Sequence, residues 1–203
     1  MLKYGVKRML YKCKDVEREC YWIVKDKFEE LFKSRGIQVY LEVTASGKFS
    51  DRIKSVVPRG KEIVFLFLRQ VAPDITGFVE IPSKSVSTGT RKFVVIEVKR
   101  EVRLGDVYQL KKYADLFDAG FAFLVSLSPI SEEIKRVFDV CMLFPKLRGG
   151  NIYQAFVITY FDINSKEFME WFDENPFTKD IYWRGCDNYV RSCLLLGWQL
   201  FNT

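Results

Sequence analysis

The segment RKFVVIEVKRE, residues 91–101, runs four apolar residues together and then places Glu97 and Lys99 two positions apart. A β-branched, apolar run of this kind reads as a buried β-strand. Side chains alternate along a strand, so Phe93, Val95, Glu97 and Lys99 share one face, and Val94, Ile96 and Val98 share the other. A carboxylate and an ammonium therefore leave a core strand on the same side. Left alone in a core, either charge is costly, so the pair must neutralise each other, reach solvent or serve a bound ion. A divalent metal resolves the conflict, because hard Mg²⁺ takes carboxylate and carbonyl oxygens and keeps several waters. A second carboxylate is then needed. Asp74 is the candidate, since it follows Pro73 at the start of the strand expected to form a hairpin with the Glu97 strand.

What the chain lacks narrows the chemistry further. It contains no histidine, which removes Ser-His-Asp and Cys-His catalysis and histidine-ligated zinc. Five cysteines (Cys13, Cys20, Cys141, Cys186 and Cys193) form no CxxC pair, and they read as reduced thiols rather than a disulfide framework or zinc site. Chemistry must come from carboxylates, lysines, hydroxyls or a metal. The longest purely apolar run, IVFLFL at 63–68, is far below the roughly 20 residues of a membrane-spanning helix. The charged start MLKYGVKRMLYKCKD does not resemble a secretory signal, so an intracellular, cytoplasmic protein with no membrane partner is expected.

Along the chain, residues 15 to about 35 have helical periodicity and stop at Gly36, with Glu17 in line with the apolar stripe of Tyr21, Val24, Phe28, Leu31 and Phe32. IQVYLEV reads as a strand, followed by a polar loop. IVFLFLRQ and DITGFVEI read as further strands, and PSKSVSTGT as a long hairpin turn before KFVVIEVK. GDVYQLKKYADLFDAG reads as a helix, with Asp106 and Gln109 as its capping pair and Gly120 as its stop. FAFLVSL is a strand, and SPISEEIKRVFDVCM a helix capped by Ser131. YQAFVITYFD is a strand, SKEFMEWFDEN a helix, and YVRSCLLLGWQLF is ambiguous. This order predicts one α/β domain over residues 1–203, a mixed β-sheet flanked by helices. Its core covers about 15–127, with a C-terminal α/β extension over about 128–203.

Pro73-Asp74, a spacer, and Glu97-Val98-Lys99 together spell P-D…E-x-K. In this the chain resembles the PD-(D/E)xK nuclease superfamily, which has the restriction-endonuclease-like fold. The resemblance implies that Asp74, Glu97 and the Val98 carbonyl hold Mg²⁺ (or Mn²⁺), while Lys99 orients or deprotonates the attacking water and stabilises the transition state. Glu133 and Lys135 repeat the E-x-K spacing on an expected helix, where it is a solvated face. VEREC, with Glu17, is similar to the E-R-E helix start of archaeal Holliday junction resolvases, whose first Glu contributes to the metal site. Ser46-Gly47 matches their Ser-Gly. Gln109 and Tyr113 match the Q-x-x-x-Y helix motif of RecB-like exonucleases, which implies a glutamine near the active site and a tyrosine near DNA.

Charge fits a polyanionic partner. The chain carries +6 with a pI near 9.0, and from Arg91 to Lys112 seven basic residues face three acidic ones. Ser46, Lys48, Arg91, Lys92, Arg100, Arg103, Lys111, Lys112 and Tyr113 are the candidate DNA-binding residues. The expected function is a Mg²⁺-dependent endonuclease acting, as a homodimer, on branched or double-stranded DNA. A RecB-like exonuclease acting on ends, or a nuclease-fold DNA-binding protein with little catalysis, is the alternative.

Overall fold

The computed structural model describes residues 2–57, 61–68, 71–81, 90–141, 155–172 and 177, and of these the side chains of all but 2–17, 81, 90, 138–141 and 155. The described elements, in chain order, are α1 (Leu2–Ser34), β1 (Gln38–Val43), α2 (Asp51–Lys54), α3 (Val64–Phe67), β2 (Ile75–Ile81), β3 (Thr90–Lys99), α4 (Leu104–Phe117), β4 (Phe121–Ser126), α5 (Glu132–Cys141), β5 (Ala155–Asp162) and β6 (Glu167–Phe172). The strands form one mixed six-stranded sheet in sequential order, β1-β2-β3-β4-β5-β6. The β3–β4 and β4–β5 pairs are parallel and the others antiparallel. The α/β sheet flanked by helices is therefore as expected. β5 and β6 extend the same sheet instead of building a separate layer.

Two apolar layers sandwich this sheet, each assembled from alternate residues of the same strands. Val94, Ile96 and Val98 of β3 bury with Phe121, Phe123 and Val125 of β4 against Tyr21, Val24, Phe28 and Phe32 of α1. Phe93 and Val95, with Ala122 and Leu124, bury on the opposite side against Val107, Leu110, Tyr113, Ala114 and Phe117 of α4. Both β3 and β4 lie inside the sheet and are covered on both faces, which is why their sequences read as near-continuous apolar runs.

Helix ends explain several sequence signals. After α1, Gly36 takes φ +70°, the Gly36 N–H donates to the Lys33 carbonyl at 2.9 Å, and the Ile37 N–H donates to Phe32 at 3.1 Å. This is a Schellman closure, sealed by Ile37 and Phe32 in one buried cluster. α4 stops differently from expectation. Asp118 adopts the left-handed conformation, while the Gly120 N–H donates to Phe93 at 2.9 Å. Gly120 is required for close approach, since a Cβ there would lie 2.9 Å from the Lys92 Cβ.

Two predicted elements change type. IVFLFLRQ, expected as a strand, contains the single-turn helix α3. Val64 and Leu68, four residues apart, point into the α4-side core, and Ile63, Leu66 and Phe67 are left exposed. A short unbroken apolar run carries no period, so sequence alone cannot tell the two forms apart. SKEFMEWFDEN, expected as a helix, contains β6 over Glu167–Phe172. The Asp162 carboxylate accepts the Asn164 and Ser165 backbone N–H groups at 3.3 and 3.1 Å, and Lys166 takes φ 56°. That aspartate-centred turn folds the chain back as a hairpin. Phe168 and Trp171 then pack on the α1-side core.

The expected cap of α5 is present. Ser131 Oγ accepts the Ile134 N–H at 3.4 Å at the start of α5. Cys20 is buried; the other four cysteine side chains and YVRSCLLLGWQLF lie outside the described residues. No described helix is long and apolar enough to cross a membrane.

Gly120→Ala should cost about 1–3 kcal/mol by forcing β3 and β4 apart at Lys92. Gly105→Ala, in a helix with nothing within 4 Å, should be neutral or stabilise by about 0.5–1 kcal/mol. Urea unfolding of the two variants measures both effects, and equal values would contradict the packing account.

Candidate active site

The last antiparallel pair of β2 and β3 is Ile75 with Ile96. One step beyond it, Asp74 and Glu97 meet. The Val98 N–H donates to Asp74 Oδ2 at 2.8 Å, and the Asp74 N–H donates to Glu97 Oε2 at 3.3 Å. Carboxylates thus take the place of ladder carbonyls where the two strands part. Asp74 is 7% exposed and Glu97 1%. Lys99, on the same strand face, donates from Nζ to Glu97 Oε1 at 2.8 Å, and its side chain keeps 24% exposure. The ammonium is the solvent-reaching member of the trio.

α4 supplies the fourth group. Gln109 Nε2 donates to Glu97 Oε1 at 2.5 Å and also lies 3.2 Å from the Tyr113 hydroxyl. The expected Asp106–Gln109 capping pair is not formed. α4 begins earlier, at Leu104, and the Asp106 carboxylate accepts the Arg103 backbone N–H at 2.8 Å. Asp106 is thus three residues into the turn, and this frees Gln109 for Glu97. Tyr113, expected near DNA, is completely buried and presents no surface to a nucleic acid. Its hydroxyl sits against Gln109 instead.

The electrostatics follow from burial. Desolvation, reinforced by the Asp74 carboxylate, pushes Glu97 up to about 8 against the opposing pull of Lys99. Burial also works against the Lys99 ammonium, but Glu97, with Asp74 and Asp106, together outweigh it and leave the lysine above its ordinary value. Burial likewise pushes the Tyr113 phenol up to about 12. When both acids are ionised, two carboxylates face the one Lys99 ammonium. That is a donor set suited to a cation: Mg²⁺ is commonly held by one or two carboxylates, with waters and substrate phosphate completing its shell. Among the described residues no group of three or more acidic, cysteine or histidine side chains is placed to hold a metal. The Glu17 side chain lies outside the described ones. The described stripe of α1 covers the sheet face opposite Glu97.

The basic residues divide into two groups. Arg100 and Arg103 are exposed in the turn leading out of β3, beside Lys99. Lys111 is half-buried on α4 with Asp115 at 3.8 Å, and Lys112 is exposed, with Nζ 4.5 Å above the Tyr113 ring. Arg91 and Lys92 do not border the site. At about 3.3 Å per residue they lie roughly 20 Å back along β3, and Arg91 Nε pairs with Glu80 at 2.7 Å across the hairpin. Ser46 and Lys48 are exposed on the turn after β1. That turn abuts Asp74, because the Thr44 and Ala45 N–H groups both donate to its carbonyl, at 2.8 and 3.2 Å. The second E-x-K, Glu133 and Lys135, lies on α5, where Lys135 pairs with Glu132 and Glu170.

Sequence reasoning missed Thr44 and Thr76, buried just after β1 and on β2 respectively, whose hydroxyls lie 2.9 Å apart. Nothing in TASG links residue 44 to residue 73, and only the strand register brings them together. Comparison with protein-family models, with curated proteins and with solved structures finds no match.

A raised carboxyl pKa in the folded state makes the folded protein bind more protons than the unfolded chain between the two values. Without metal, the Glu97 contribution to stability should be full below about 4.5, decline as pH rises and be lost above about 8. Urea unfolding in EDTA from pH 5 to 9 should show that decline in the wild type and a flatter profile in Glu97→Gln. Parallel profiles would contradict the assignment.

Proposed function

We propose that the protein is a metal-dependent deoxyribonuclease of the PD-(D/E)xK superfamily, with the restriction-endonuclease-like fold, that hydrolyses phosphodiester bonds in branched DNA. The observation that carries this reading is the convergence of Asp74, Glu97 and Lys99, from positions 23 and 25 apart from the aspartate, at one end of a buried strand pair. A fold with no catalytic duty has no need to keep two acids and a lysine there.

Asp74, Glu97 and the Val98 carbonyl would hold Mg²⁺ or Mn²⁺. When bound, the ion supplies neutralisation of phosphate charge and acidification of water. Lys99, exposed enough to meet substrate, orients the attacking water and stabilises the negative charge that builds on the phosphate. Gln109 fixes the Glu97 carboxylate from the α4 side, so the acid keeps one orientation as substrate enters. Arg100, Arg103, Lys111 and Lys112, with Ser46 and Lys48 on the neighbouring turn, form the backbone-binding surface, and binding should weaken with salt. The position of Ser46 beside Asp74 supports the resolvase-like mode. A homodimer would place two such sites on the two strands of a branch.

A second reading has its own support. Gln109 touching both Glu97 and the Tyr113 hydroxyl fits the Q-x-x-x-Y motif of RecB-like exonucleases, which degrade DNA from ends.

Incubation with a four-way junction, linear duplex, flapped and single-stranded DNA in Mg²⁺ or Mn²⁺ separates the readings. Junction cleavage that falls to background in Glu97→Ala and by about 10²- to 10³-fold in Lys99→Ala is expected. Degradation confined to DNA with ends would assign the exonuclease mode, and binding without cleavage by any preparation would overturn the enzyme reading.

A further inference from the structure

We propose that Thr44 is a positioning residue for the Asp74 side of the site, setting the Pro73–Asp74 backbone through its hydroxyl and its amide. The proposal rests on the reading of Asp74 as a ligand of a divalent cation.

The need for such a residue arises from where Asp74 lies. The β1–β2 ladder ends at Val43 with Ile75, and the β2–β3 ladder at Ile75 with Ile96. Asp74 is therefore outside both ladders, and the residue before it is a proline, which has no N–H to anchor the chain. Thr44 closes this gap. Its hydroxyl donates to the Pro73 carbonyl at 2.7 Å, its backbone N–H donates to the Asp74 carbonyl at 2.8 Å, and the next N–H, Ala45, reaches the same carbonyl at 3.2 Å. Two consecutive carbonyls on the chain entering β2 are thus held from one residue and its neighbour.

The direction of the hydroxyl chain is fixed by donor counting. Thr44 has one hydroxyl proton, and a carbonyl can only accept, so that proton is committed to Pro73. The 2.9 Å contact between the two threonine hydroxyls must then run from Thr76 to Thr44. The sequence Thr76 O–H to Thr44 O–H to Pro73 O=C is a one-way relay, buried at every step. Both side chains are wholly buried, and valine has nearly the same shape without the hydroxyl. Retaining a hydroxyl in such a place is unfavourable unless it is bonded, and here it is bonded to the backbone that carries the metal-facing acid. Thr76 lies on β2 two residues from Asp74 and on the same face, and acts on Pro73 through Thr44.

The test reads metal affinity directly, from the rise in unfolding temperature with Mg²⁺ or Mn²⁺ concentration, so a change in intrinsic stability does not imitate the effect. Thr44→Val should weaken metal binding on the order of tenfold, the usual consequence of losing a group that orients a ligand. Thr44→Ser, which keeps the hydroxyl, should stay within about twofold of wild type, where the same principle requires an orienting group to be retained. Far-UV circular dichroism checks that each variant folds. If Thr44→Val does not fold, Thr76→Val carries the test with a weakening in the same direction. Wild-type affinity in the folded valine variant, or equal weakening by valine and serine, would overturn the proposal while leaving the nuclease reading in place. A wild-type protein that metal does not stabilise at all would overturn both.

Discussion

The reciprocal clasp between Asp74 and the β3 strand is the interaction on which the rest of the site depends. Each acid accepts a backbone N–H from the other's neighbourhood: Val98 to Asp74, and Asp74 to Glu97. These bonds continue the antiparallel ladder for one more step, with side chains standing in for carbonyls. They are possible only because β3 is interior, with β2 on one side and β4 on the other, so that the pair is formed where water is scarce. In such surroundings a hydrogen bond to a charged oxygen is stronger and an unpaired charge more costly, which ties the integrity of the sheet end to the state of its acids.

α4 joins packing to chemistry. Val107, Leu110, Tyr113, Ala114 and Phe117 bind it to the sheet, and the face between them carries Gln109 to Glu97. Movement of this helix would therefore be felt first by the carboxylate it touches. The buried Tyr113 ring opposes such movement by packing this face of the helix against the sheet, and its hydroxyl, one turn along the same helix, accepts a hydrogen bond from Gln109 at 3.2 Å.

Much of this was legible in the sequence because it follows from alternation. β3 and β4 could be read from their unbroken β-branched runs, and the joint orientation of Glu97 and Lys99 from a period of two. α3 and β6 were misread for opposite reasons. IVFLFL lacks any period, and the Asp162 turn that makes β6 a hairpin partner depends on side-chain bonds that no hydrophobic pattern records. The basic residues show a further limit. Arg91 and Arg100 are nine positions apart in one charge-rich stretch, yet a straight strand carries them to opposite ends of the sheet. Thr44 was invisible because its partner is 29 positions away and the two meet only through the register of β1 with β2.

The same register bears on how related chains could be recognised. Asp74 and Glu97 are joined through a hairpin that turns at the Ile81–Thr90 end of the pair, remote from the acids. The number of positions between them therefore measures hairpin length, a quantity that the acids themselves do not sense. A search pattern with a fixed spacer would reject sequences that build the identical clasp around a shorter or longer turn. The transferable signature is two-dimensional: an acid one step before the first ladder pair of one strand, opposite the acid of an E-x-K one step after the corresponding pair of the next.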